Sequence, residues 1–348
     1  MKVSGLSANA LYAKCKAMNA SRLTRSQFVE MASLSGLSEL CTYLKSKTAY
    51  ADVFSDSTFN TANISRARFE ALIKKAVPIR QEKILRYAAL SGSKIDEYFS
   101  TRRDIRIILS GVRHIDNPLY VDSEIMYLPQ SVRKRLGVDA EEIGNAKSLG
   151  ELSELLDKTP YKKYVIGASA GPHAYCEIQN MLNGYLFDTA FRVVNQNLSG
   201  KEKDEAKELF SQMSDIITVF GLYRIKSKYY DSAEAMSQVF VSPATSFDAN
   251  ELERLKSAHG VKELASAISK THRARLFSDF VGEGNEKERL LYRICSKKLA
   301  TSQNPVVCAV CYDELLRMEC MDISTVAEGI GYKLPPEETM SFLIREGK

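Results

Sequence analysis

The chain has 348 residues, 45% of them apolar, and its 48 Lys and Arg against 43 Asp and Glu leave a net charge of +5. That length and apolar content predict a globular protein with more than one core, and the even spread of charge excludes long disordered tracts. So mild a basic excess does not by itself point to nucleic acid, and no apolar run approaches the ~18 residues of a membrane span.

From the N-terminus, MKVSGLSANALYAK carries one early lysine and is broken by Ser and Asn, a poor hydrophobic segment for export. Seven cysteines, odd in number and scattered, predict reduced thiols in a cytosolic setting rather than a disulfide scaffold. GLSELCTYLKSKTAY begins at Gly36 and sets Leu37, Leu40 and Leu44 on one helix face beside Glu39; Thr48 closes it, with Tyr50 two residues on. ARFEALIKKAV then reads as helix, and RRDIRIILSGVR follows with Asp104-Ile105 and Arg113 near its end.

The same order returns twice. SLGELSELLDKTPY, from Ser148, repeats it with Leu149, Glu151, Leu152, Leu156, Thr159 and Tyr161, and Asp215-Ile216 comes later in MSDIITVFGLYRIK. GVKELASAISKTH, from Gly260, repeats it with Val261, Glu263, Leu264, Ile268, Thr271 and Arg273, and Asp322-Ile323 comes later in CMDISTVAEGIGYK. Threonine and Asp-Ile are 56, 56 and 51 residues apart in the three copies. Two matches in fixed order at near-fixed separation predict three homologous units of roughly 110 residues, near 1–117, 118–230 and 231–348. The intervening stretches are rich in Ala, Leu, Lys and Glu with apolar positions three or four apart, and YVIG and VFVS are too short to found a sheet. The expected fold is all-α, with NP at 117–118, GP at 171–172 and LPP at 334–336 as punctuation between helices.

Several segments invite a chemical reading. GASAG, 167–171, spells G-x-S-x-G with Ser169 as nucleophile, but that motif needs a strand before the serine and a helix after it, and no strand-rich scaffold is expected. A loop is the better reading, with Pro172 opening the next helix. Cys308, Cys311 and Cys320 lack a fourth metal ligand and lie in an apolar helical run, which favours core thiols. The histidines at 114, 173, 259 and 272 have no ligand spacing, and no phosphate-cradling glycine motif occurs, so no cofactor, metal or catalytic group is expected. YRIKSKYY, 223–230, interleaves Arg224, Lys226 and Lys228 with tyrosines and could bind RNA, while a solvated helix end or a surface for a protein explains the cations more simply. An Asp ahead of an apolar run suggests helix capping for Asp104, Asp215 and Asp322.

Taken together, the three E-L-x-x-x-[LI] helices running into Thr-(Pro)-Tyr, the later Asp-Ile helices, TPYKKYV, SDIITVFGLYRIKSKYY and the closing ECMDISTVAEGIGYKLPPEE resemble the C-type subunit of the A/V-type ATP synthases, whose counterpart in the vacuolar ATPases is the d-type subunit. Where family members often place Asn three residues after the Asp, this chain has Ile107, Thr218 and Thr325. The resemblance implies a funnel of three helical bundles around a pseudo-threefold axis. It also implies a non-catalytic central-stalk subunit without cofactor, one copy per complex, on the cytoplasmic side and peripheral to the membrane. Such a subunit seats the central shaft on the membrane proteolipid ring. In that setting Arg113, Arg224, Lys226, Lys228 and Lys333, at or near equivalent helix ends, are the candidate shaft contacts. The alternative is a helical-repeat adaptor for RNA or protein.

Overall fold

The computed structural model describes residues 5–54, 64–90, 93–120, 133–168, 174–228 and 244–346, with a few isolated positions between them. All regular structure among them is helical: α1 (Gly5–Ala20), α2 (Arg25–Ala32), α3 (Leu37–Lys47), a 3-10 turn (Ala49–Phe54), α4 (Arg66–Leu90), α5 (Ile95–Asp116), α6 (Ala140–Gly144), α7 (Leu149–Leu155), α8 (Lys162–Ile166), α9 (Ala174–Asn197), α10 (Gly200–Lys228), α11 (Ala249–Ser257), α12 (Gly260–Ile268), α13 (Glu286–Thr301), α14 (Pro305–Tyr332), α15 (Pro336–Ser341) and a last 3-10 turn (Ile344–Glu346). Tyr164, Val165 and Ile166 of the YVIG stretch belong to α8 and Gly167 caps it, so the segment leading toward Ser169 is helix rather than strand. Ser169 and Pro172 themselves lie outside the described residues. One proline does interrupt a helix: Pro78 stands inside α4, where a missing N–H and ring bulk favour a kink.

Three apolar cores organise these helices. The largest packs α1 to α4 against α14 and also takes Ile95, Tyr98 and Phe99 from the start of α5 and Ala206, Leu209 and Phe210 from the first half of α10. The second gathers Ile105, Ile108 and Val112 from the rest of α5 with α6, α7, Val165 and the first half of α9. The third gathers Ile216, Val219 and Leu222 from the rest of α10 with α11, α12, Phe277 and Leu290. Helices α5 and α10 therefore start in a shared core and end in separate ones, each changing core close to its Asp-Ile pair.

Helix α14 is the spine of the large core. Asn304 caps it by accepting from the N–H of Val306 and Val307, Pro305 opens it, and Lys333 ends it in the left-handed conformation at φ 55°. Close approaches fix its neighbours. A Cβ at Gly329 would overlap the Thr339 side chain on α15, and one at Gly111 would overlap the backbone carbonyl of Ile143 on α6. These glycines follow Asp322 and Asp104 by seven residues, two turns on along the same helix face. Because the obstacle at Gly111 is backbone, Gly111→Ala is expected to cost about 1–3 kcal/mol through displacement of α6. A urea midpoint equal to the parent's would show that the α5–α6 contact yields freely.

Candidate docking surface and the buried contacts beneath it

The short helices α3, α7 and α12 are built by one local device. Glu39, Glu151 and Glu263 each reach back four residues and accept from the backbone N–H of Ser35, Lys147 and His259, at 3.0, 2.9 and 2.8 Å. Donors left open at a helix start need such an acceptor. At the other end, the hydroxyls of Thr48, Thr159 and Thr271 donate to the carbonyls of Leu44, Leu156 and Ile268. In the first two copies the same hydroxyl accepts from the N–H of the tyrosine two residues on, Tyr50 and Tyr161. The threonine thus ends the helix and aims the residue that follows.

What those residues are aimed at overturns the capping expectation for the aspartates. Asp104, Asp215 and Asp322 sit in the interiors of α5, α10 and α14 and are 3%, 0% and 2% exposed, far from any open helix terminus of their own. Asp104 accepts from the Tyr161 hydroxyl at 2.9 Å and faces Arg135 at 3.4 Å. Burial pushes its carboxyl above the ordinary carboxylate range, and Arg135 and the Tyr161 hydroxyl oppose that push. Asp215 accepts from Arg273 Nε at 2.9 Å, from the Thr245 hydroxyl and from the N–H and hydroxyl of Ser246; Arg273 also grips Glu208 with both terminal nitrogens. In the third copy the partner moves one turn. Tyr50 donates to Glu319 at 3.0 Å, which also accepts from Arg22 Nε and Leu23 N–H, while Asp322 accepts from the backbone of Ile344 at 2.7 Å and so pins the C-terminal turn. The residue two after each threonine therefore contacts a long helix far from it in sequence: Tyr161 meets α5, Arg273 meets α10 and Tyr50 meets α14.

The helix-end cations do not share one environment. Arg113 is exposed but stacked between two rings, 5.0 Å from the Tyr175 centroid and 5.8 Å from that of Tyr120. Lys226 is 6% exposed and donates to the carbonyls of Lys256, at 2.9 Å, and Ala258, closing the end of α11. Arg224 and Lys228 are exposed, with no side-chain partner among the described residues, and Lys333 is the exposed left-handed cap of α14. The tyrosines needed for base stacking fare no better: the Tyr223 ring lies edge-on to Phe280 and against Gly282, and Tyr229 and Tyr230 fall outside the described residues.

The family model for the ATP synthase (C/AC39) subunit matches residues 11–342. The chain belongs to the C/AC39 subunit family. It is accordingly a component of the A/V-type rotary complexes, and among its described residues no helix is long and apolar enough to cross a membrane. No curated protein matches it.

For a member of the C/AC39 family, hydrogen-bonded serines and buried thiols need a structural account, and each has one. Ser246 Oγ lies 2.9 Å from His272 Nε2, and His272 Nδ1 lies 2.9 Å from Glu251, a spacing that resembles a hydrolytic triad. The Ser246 hydroxyl, however, donates to Asp215 at 2.6 Å and accepts from Arg273, so its proton and lone pair serve the α10 contact instead of a nucleophile. Cys308, Cys311 and Cys320 are 0%, 0% and 2% exposed in the large core, and Cys320 donates to the Ile73 carbonyl. Burial pushes the Cys320 thiol up to about 11, which keeps it protonated and inert.

One cluster escaped the sequence reading. Arg102 of α5 meets Asp313 at 3.2 Å and grips Glu314, both on α14; Arg317 meets the same Asp313 at 2.9 Å; Gln81 of α4 donates to Asp313 and accepts from Arg103. Only the adjacent arginines of RRDIRI hint at it, because the carboxylates that organise them are more than 200 residues away.

Proposed function

We propose that this chain is the central-stalk component that seats the shaft on the proteolipid ring, so that the two turn together while ATP is made or hydrolysed elsewhere in the complex. Its three units, near 1–117, 118–230 and 231–348, would surround one axis as a pseudo-threefold funnel, with one copy per complex on the cytoplasmic side of the membrane. The observation that carries this reading is the recurrence, in a chain of this family, of one contact in cyclic order: the residue two after each threonine meets a long helix that the sequence repeats assign to another unit. A non-catalytic role agrees with a Ser246 hydroxyl committed to Asp215 and with inert core thiols. The adaptor reading for RNA is weakened by the packing of Tyr223 and the burial of Lys226.

The shaft contacts are tested at the two exposed cations of α10. Arg224→Ala with Lys228→Ala, leaving Lys226 in place, should weaken capture of the purified shaft protein several-fold at low salt and less at high salt, with the melting temperature unchanged. Equal capture by variant and parent at every ionic strength would remove these residues from the contact. Lys226→Ala belongs to a different class, because it uncaps α11 and should lower stability without any partner present.

A further inference from the structure

The arginine cluster between α5 and α14 has the build of a prepared seat. Asp313 and Gln81, each 1% exposed, lie beneath it and fix three guanidiniums from below. Arg103 uses one terminal nitrogen on Gln81 and Arg317 uses its Nε on Asp313. No hydrogen-bond partner for their remaining N–H groups occurs among the described residues. Arg103 and Arg317 are part-exposed above these buried partners. Three guanidiniums stand over two carboxylates, Asp313 and Glu314; close by, Asp104 is engaged by Arg135 and Tyr161, and Asp122 lies within electrostatic range of Arg106. Burial pulls Arg103 below its ordinary value; Arg135 and Arg317 add to that while Asp104 opposes it.

On the proposal that the chain seats the shaft, we infer that Arg103 and Arg317 form the seat for carboxylate side chains on the foot of that shaft. Two observations select this occupant. A guanidinium held in a fixed orientation presents paired donors that match a carboxylate, a geometry that a flexible lysine surface does not provide. Beside the cations, one turn beyond Arg317 on the same face of α14, Met321 is 42% exposed. Arginine next to an exposed thioether is the composition of a protein interface, whereas a bare phosphate has no use for the apolar neighbour. The positions corresponding to Arg103 in the other two long helices, each immediately before its Asp-Ile pair, are Ser214 and Met321, so neither of those helices repeats this cation.

The test is capture of the purified shaft protein by the full chain across a salt series, with Arg103→Gln and Arg317→Gln combined. The expected result is roughly tenfold weaker capture at moderate salt and a shallower salt dependence, with helical content retained. If loss of Arg317 disturbs Asp313 enough to unfold the chain, Arg103→Gln alone decides, since the one hydrogen bond of that side chain among the described residues is to Gln81; a several-fold loss is then expected. Parent and variant capturing the shaft equally at all salts would overturn this seat while leaving the stalk reading intact. A parent that never captures the shaft would overturn both. Binding of phosphatidylglycerol vesicles that is lost in the variant, with shaft capture intact, would assign the seat to a lipid headgroup and overturn the inference.

Discussion

Replacing Glu319 by Ala is expected to destabilise the chain by about 3–5 kcal/mol, the usual consequence of stranding buried charge by removing one partner. Glu319 is 1% exposed and accepts from Arg22, from the Leu23 N–H and from the Tyr50 hydroxyl, with Arg80 at 3.9 Å. Its removal leaves the guanidiniums of Arg22 and Arg80, which is 5% exposed and stacked on Tyr50 at 4.2 Å, without a counter-charge. The backbone donor of Leu23 is also orphaned. Arg22 and Leu23 lie almost 300 residues away in sequence, so the damage should loosen the N-terminal helices from α14 and expose them to protease. Glu319→Gln, which retains an acceptor oxygen, should cost less. Urea unfolding measures both; a loss below about 1 kcal/mol for the alanine variant would mean that the α14 contact is incidental to the fold.

The second large effect is a dependence on pH with an unusual sign. Burial raises the Asp322 carboxyl from 3.8 to about 6, against the opposing pull of the Ile344 and Arg345 N–H groups and the Arg345 charge. A carboxyl whose value is higher in the folded chain adds stability when protonated. That contribution is complete below about pH 4 and is lost as pH rises through 6. Asp322→Asn keeps an oxygen to accept from Ile344 and carries no charge. The variant should therefore match the parent near pH 4 and exceed it by up to about 3 kcal/mol at pH 7. Unfolding midpoints at matched pH for the two proteins isolate this group from carboxylates such as Asp313, which Arg317 and Arg102 hold below their ordinary range despite burial. A variant less stable than the parent at pH 7 would show that the ionised side chain is favoured in the fold.

The features of the sequence that carried information were those whose function is local. Glu39, Glu151 and Glu263 are visible because a helix start needs an acceptor at a set offset, and Thr48, Thr159 and Thr271 because a helix end needs a donor. All-helical structure follows from the 3.6-residue spacing for the same reason. The aspartates were visible as landmarks but not in their role, since Asp104 is explained by Tyr161 and Asp215 by Arg273, partners 57 and 58 residues away that only the tertiary packing brings together. Arg113, Arg224, Lys226, Lys228 and Lys333 look alike as helix-end cations, yet Lys226 is buried against the carbonyls of α11 and Arg113 is stacked between rings. Side-chain direction at a helix end depends on what packs there, and a single chain's pattern does not encode that. Ser169 shows the converse, a strong five-residue signal without the strand that would give it meaning.

If the chain couples ring to shaft, as proposed, the number of ions moved per ATP hydrolysed depends on it, a ratio measured in sealed vesicles carrying the rotary complex assembled with and without this chain. Without the chain, ATP hydrolysis by the soluble part should continue while ion movement falls to the leak level, and adding the purified chain back should restore the ratio. An unchanged ratio of ions to ATP in the complex lacking the chain would contradict the coupling role outright.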